Sequence, residues 1–159
     1  MAEKTDLKAV KDSLERAGDI VNLSDSSTDS LPPQFYQRFI VHGIRVDHID
    51  PGRVVCSLKV PPRLLNTGNF MHGGATASLV DVIGSAAIYA AGYRTSGVSL
   101  EISISYLDAA YVGEEIEIEA KVLRVGKAIG VVSVELRKKS GKIIAHARHV
   151  KYLAVSSKI

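Results

Sequence analysis

Asn66-Thr67-Gly68-Asn69-Phe70-Met71-His72-Gly73-Gly74 opens straight into an apolar run that carries a single carboxylate, Asp81. A polar turn ending in two glycines at the start of a helix can aim a backbone N–H at a ligand oxygen. The first N–H groups of a helix lack intrahelical partners, and the helix dipole adds partial positive charge there. Gly73 and Gly74 have no side chain to hold a ligand away from those donors. Nine residues after His72, Asp81 lies among Leu, Val, Ile and Ala, so a buried acid is expected. An electrophile-polarising helix end with an acid nearby suits acyl chemistry.

The elements that must position these groups are legible from periodicity. Val54, Cys56, Leu58 and Val60 alternate with other residues after the turn signal Asp50-Pro51-Gly52, as in a strand. Helical period takes over from Gly74 to about Ala91, apolar nearly all round, so this helix must be covered on most sides. Alternation then returns in Val98–Tyr106, in Ile116–Val122 and in Val132–Leu136. In the last strand Ile143, Ala145 and Ala147 have one phase and Val150 and Tyr152 the other, so a bulge is expected near Arg148-His149. Turns at Gly113, Gly126 and Ser140-Gly141 are short enough for hairpins. The fold class is therefore α+β, a curved antiparallel sheet wrapped around one long central helix.

The organisation expected is an N-terminal arm and linker over 1–32, one domain over 33–155 and a tail over 156–159. In the arm, Thr5 or Asp6 can cap a short helix whose Leu7, Val10 and Leu14 share a face. A polar stretch, 22–30, and Pro32-Pro33 then form the linker, so the arm is expected to stand apart from the core. Phe35, Tyr36, Phe39 and Ile40 have the spacing of a second short helix lying against the core.

With 159 residues, 46% of them hydrophobic, the chain can bury one real core. The net charge of +3 is mild, the basic residues are scattered and Trp is absent, which argues against nucleic acid as a partner. A lone cysteine, Cys56, excludes an intrachain disulfide, sits on the apolar side of its strand and reads as an inert core residue; no spacing suggests zinc. Met1-Ala2-Glu3-Lys4 does not lead into a secretory leader, and the run Ala75–Ala91 is short for a membrane span. A soluble, intracellular protein is expected. Ser157-Lys158-Ile159 nearly matches the peroxisomal Ser-Lys-Leu address and departs from it at the last residue, so the expected location is cytoplasmic or peroxisomal.

The order of elements, with Asn66, six intervening residues, Gly73-Gly74, then Asp81 and Gly97-Val98-Ser99, resembles the hotdog-fold acyl-CoA thioesterases. The likeness is to their small single-domain branch and covers roughly residues 43 to 153. It implies a shared site in which one protomer supplies the polarising groups and its dimer partner the acid. On that pattern, Gly73 N–H binds the thioester carbonyl oxygen and Asn66 orients and polarises it. Asp81 of the other chain activates water or attacks directly, and Ser99 holds the water beside it. His72 positions the loop and the thioester sulfur, while Gly74, Phe70 and Met71 complete the substrate-binding set. No cofactor is implied, coenzyme A being part of the substrate, and the assembly implied is a homodimer, or a tetramer of paired dimers.

Each residue also has a plainer reading. Asn66 can stabilise its own turn, and the glycines can serve close packing. Ser78 and Ser85, a turn either side of Asp81, can satisfy its carboxylate locally. Ser99 shares its phase with Glu101 and Ser103, so alternation alone places it on the solvent face. His146 and His149 read as core histidines before pocket residues, and Glu115, Glu117 and Glu119 as a solvated sheet face. Two other functions compete. A hotdog hydratase or dehydratase needs a His paired with a carboxylate, whereas Asn66 fits carbonyl polarisation better. A non-catalytic acyl-CoA sensor has no need of an acid beside the carbonyl.

Overall fold

The computed structural model describes residues 6–17 and 33–153. The polar stretch of the linker and the C-terminal Ser157-Lys158-Ile159 lie outside the described residues. The elements run α1 (Leu7–Ala17), α2 (Phe35–Val41), β1 (Arg45–Asp50), β2 (Arg53–Lys59), a short 3₁₀ turn (Pro62–Leu64), α3 (Gly73–Ala90), β3 (Val98–Tyr106), β4 (Glu115–Val125), β5 (Ile129–Lys138) and β6 (Ile143–Tyr152). The six strands form one antiparallel sheet in the order β1-β2-β4-β5-β6-β3.

The alternating residues make the core as expected. Cys56, Ile118, Leu136 and Ala145 stand opposite one another across β2, β4, β5 and β6, and Val54, Ala120, Val134 and Ala147 form the next row. All are buried, and they meet Leu79, Val80, Ile83, Ala87 and Ile88 of α3. Burial pushes the Cys56 thiol up to about 12, which suits an inert core residue. On the outer face Glu119 and Arg53 lie 2.6 Å apart and Glu115 and Arg45 2.8 Å apart, so those glutamates are paired across strands rather than merely solvated. Helix α3 is long and apolar enough to cross a membrane, but most of it is buried inside this sheet, as a core helix is.

Several expectations change. Gly113 does not turn a hairpin, because β3 pairs with β6 at the sheet edge while β4 lies between β2 and β5. The irregularity in β6 falls at Ile144, where Leu136 faces Ala145 but Arg137 faces Ile143, and not at Arg148-His149. Ala145, Ala147, His149 and Lys151 keep one phase, so the strand holds its alternation by turning two polar residues inward. A bulge that reverses the phase of a site residue lies in β3, between Ser99 and Glu101. Ser99 pairs with the inward-facing Lys151, and so takes the helix side with Ile102 and Ile104.

The helix is not covered all round. A stripe of Gly74, Ser78, Asp81, Val82, Ser85 and Tyr89 remains partly or fully exposed. Helix α1, which Asp6 caps through Ala9 N–H at 3.1 Å, does not stand apart: Leu7 and Val10 pack against the core beside this stripe.

Candidate active site

The loop before α3 is held by its own side chains. Asn66 Oδ1 accepts from Gly68 N–H at 2.8 Å and Phe70 N–H at 3.4 Å, so the turn-forming role is real, and only its amide nitrogen is left to donate to a ligand. Met71 N–H donates to Ala110 O at 2.7 Å, and its side chain is 5% exposed, which makes Met71 mainly a core residue. Phe70 stays at the surface. His72 is the N-cap of α3, and its Nδ1 accepts from Gly74 N–H at 2.8 Å.

That cap sorts the donors at the helix start. The N–H groups of Ala75 and Thr76 go to His72 O, and that of Gly74 to the His72 ring. Gly74 N–H is thus spent on the cap, which counts against a ligand-binding role for it. The Gly73 N–H has no partner among the described residues and lies at the positive end of the helix dipole. Tyr106 donates its hydroxyl to Gly73 O at 3.1 Å, and a Cβ at Gly73 would meet the tyrosine ring at 3.4 Å. Gly73, Phe70, Met71, Thr76 and Tyr106 line one cleft of about 360 Å³.

Asp81 belongs to another cleft, of about 530 Å³, walled by Ala9 and Val10 of α1, Gln37 of α2, and Val82, Ser85, Ala86 and Tyr89 of α3. It is not buried within the single chain, where its side chain is 48% exposed, and its polar contacts come from β3 and β6. Nor do Ser78 and Ser85 satisfy the carboxylate. Their hydroxyls donate to the carbonyls of Gly74 and Asp81, each at or within 2.8 Å. Asp81 Oδ1 instead accepts from Ser99 Oγ at 3.0 Å, with His149 Nε2 at 3.5 Å and Lys151 Nζ at 3.9 Å. Ser99 Oγ also lies 2.8 Å from His149 Nε2.

His149 is fully buried, and burial together with the Lys151 ammonium pushes its imidazole down to about 4, against an opposing pull from Asp81. Burial likewise lowers the Lys151 ammonium. Sequence reasoning read His149 as a core histidine, which its burial matches, and gave His146 the same reading although it is exposed; by placing a break of phase at Arg148-His149 it missed Lys151. The signal was present in the unbroken spacing of Ala145, Ala147, His149 and Lys151.

The structure therefore brings Asp81 together with Ser99, and Gly73 with Phe70 and Met71, but it does not bring the two groups to each other. Gly73 and Asp81 are eight residues apart on one straight helix, about 12 Å along its axis and turned by about 80°. One thioester carbon, within about 3.5 Å of both its donor and its nucleophile, cannot be served by both from one chain.

A family model described as the thioesterase superfamily matches residues 68–145. Human acyl-coenzyme A thioesterase 13 is 42% identical over 104 residues, spanning 65% of this chain and 74% of that protein. The crystal structure of zebrafish thioesterase superfamily member 2 superposes with a TM-score of 0.79 at 34% identity, over 93% of this chain and 98% of that one. A hypothetical thioesterase protein from Streptococcus pneumoniae, solved with coenzyme A, is similar at 25% identity and a TM-score of 0.67, over 70% of this chain and 85% of that one.

Proposed function

The chain belongs to the thioesterase superfamily, and we propose that within it this protein hydrolyses acyl-CoA thioesters to a free acid and coenzyme A. The observation that carries this reading is the pairing of an uncommitted Gly73 N–H at a helix start with an Asp81 carboxylate ordered by Ser99. The name of the human relative supplies the substrate class, and the coenzyme A bound to the streptococcal relative is consistent with it.

The reaction is shared between two protomers. Gly73 N–H, assisted by the Asn66 amide nitrogen, receives the thioester carbonyl oxygen and stabilises the oxyanion as it forms; a fixed backbone donor needs little reorganisation. Asp81 of the partner takes a proton from water as the water oxygen bonds to the carbonyl carbon. The C–S bond then breaks, and the coenzyme A thiolate leaves and is protonated. Ser99 holds the carboxylate, and the water beside it, in place, and His149 holds Ser99.

The separation of Gly73 and Asp81 supports a site completed by a second chain, and β3 offers the surface for one. It is an edge strand carrying Val98 at 55% and Leu100 at 57% exposure, and unpaired edges of this kind invite pairing. A homodimer joined there, with tetramers as the next level, is the proposed assembly. A hydratase would pair His72 with a carboxylate, and it is disfavoured because His72 Nδ1 is taken up by Gly74 N–H in the helix cap.

Purified protein incubated with a panel of acyl-CoAs and a thiol-reactive dye tests the activity. Thiol release well above the blank supports it, and none across aromatic, medium and long chains removes it. Mixing Asp81→Asn with Asn66→Ala protomers tests the shared site: up to about half the activity of an exchanged wild-type control returns if the sites are shared and independent. No recovery despite demonstrated exchange refutes sharing.

A further inference from the structure

Lys151 is buried to 3% exposure, which the hydrolysis mechanism above does not require. Taking an ammonium out of water costs several kcal/mol, and an apolar residue would fill the same space more cheaply. Opposite it on β5 stands Gly130, and on β3 Ser99. The position faces Asp81 and little else that is charged.

The hydrogen bonds around it have a fixed direction. Ser85 Oγ gives its one proton to Asp81 O at 2.7 Å, so it accepts from Lys151 Nζ at 2.6 Å. The lysine is thereby tied to the same helical turn as Asp81, with its charge 3.9 Å from Oδ1. On the other side, Ser99 gives its one proton to Asp81 Oδ1, so it accepts from His149 Nε2. The imidazole then carries hydrogen on Nε2, and its Nδ1, which has no partner among the described residues, is a bare lone pair packed against Gly84. A second proton on this ring would be a buried, unpaired donor, a costlier state than an unpaired acceptor.

From this geometry we propose that Lys151 is a positioning residue: its tethered ammonium holds the Asp81 carboxylate against the Ser99 hydroxyl and fixes the one-way chain His149–Ser99–Asp81. The proposal rests on the reading of Asp81 as the acid that activates water. The charged and titratable groups facing His149 are Asp81 from α3 and Lys151 from β6 itself. β3 contributes only the Ser99 hydroxyl there, because Glu101 pairs with Arg148, both well exposed. β5 places Val132 opposite His149, and α1 and α2 bring Ala9, Val10 and Gln37 to the cleft. Lys151 is thus the cation that disfavours a second proton on the imidazole, in line with the lowered His149.

The test is Lys151→Met in the full chain, with Ser85→Ala as a second variant that keeps the charge and cuts the tether. In Lys151→Met, kcat on an acyl-CoA should fall at least about tenfold, the scale of a misplaced catalytic group. KM should stay within about twofold, and urea unfolding should show the variant folded, because the Asp81 carboxylate left behind is half-exposed and keeps its bond from Ser99. Its His149 titration, followed by NMR without substrate, should move up from about 4, whereas in Ser85→Ala it should stay low while kcat falls. Wild-type kcat in Lys151→Met, or a loss explained by unfolded protein alone, overturns the proposal, as does an unmoved His149. An inactive wild type would fail the thioesterase reading instead, and the NMR arm would still judge the lysine.

Discussion

His149 ties the stability of this fold to pH in a way that can be measured on the free protein. The side chain is fully buried, and its imidazole is pushed from the ordinary 6.5 down to about 4, first by burial and then by the Lys151 ammonium. Between those values the unfolded chain binds a proton that the folded chain refuses, so acid favours unfolding. The contribution is complete above about pH 6.5 and is lost as pH falls through about 4. At about 1.4 kcal/mol for each pH unit in that window, the loss reaches about 2 kcal/mol at pH 5 and about 3 kcal/mol at pH 4. Replacing His149 with Gln removes the titrating group and keeps a polar partner for Ser99. Urea unfolding of both proteins at pH 7, 6 and 5, at one fixed protein concentration, gives the comparison. Wild type should lose about 2 kcal/mol more than His149→Gln between pH 7 and pH 5. Parallel pH profiles would refute the reasoning, because they would mean that the imidazole is not held neutral by its surroundings.

Gly84→Ala should lower activity without unfolding the protein. The new Cβ would lie 2.8 Å from His149 Nδ1, so the ring must shift and its 2.8 Å contact with Ser99 is disturbed. The strain of about 1–3 kcal/mol opposes a helix-propensity gain of about 1 kcal/mol, for a net loss of up to about 2 kcal/mol in a melting experiment, with a fall in kcat of about tenfold. A raised melting temperature with unchanged kcat would count against this packing. Deleting residues 1–17 removes Leu7 and Val10 from the core and Ala9 and Val10 from the wall of the Asp81 cleft. The truncated protein should stay folded, melt a few degrees lower and show a raised KM for acyl-CoA; an unchanged KM would show that α1 does not border the bound substrate.

The architecture was legible because the hydrophobic period changes twice along the chain, from strand to helix and back. The helix start was legible too: a polar loop, His72 and two glycines mark it without ambiguity. What alternation could not show was any departure from alternation. A one-residue bulge before Glu101 turns Ser99 toward the helix, and nothing in the residue types announces it. The opposite error arose in β6, where Val150 and Tyr152 were assigned inward as apolar residues, so that inward Lys151 was lost to an expected phase break. His149 and Lys151 face inward because the flank of α3 they meet carries Asp81 and Ser85, which offer hydrogen bonds that an apolar core would not. Asp81 was read as buried from its apolar sequence neighbours, but Leu79, Val80 and Ile83 are turned into the core while Asp81 and Val82 face the cleft. The proposed pairing of Gly73 with Asp81 of a second copy was suggested by the resemblance alone, since periodicity says nothing about a partner chain.

The most direct test of the account is the turnover of acyl-CoA by Asp81→Asn at neutral pH, beside wild type and with the dimer verified for both. Asn is nearly isosteric and can still accept from Ser99, so the fold and the binding of an uncleavable acyl-CoA analogue should be unchanged. If Asp81 activates water, kcat should fall by at least about a hundredfold. A folded, dimeric Asp81→Asn protein that keeps a third or more of wild-type kcat would contradict the account.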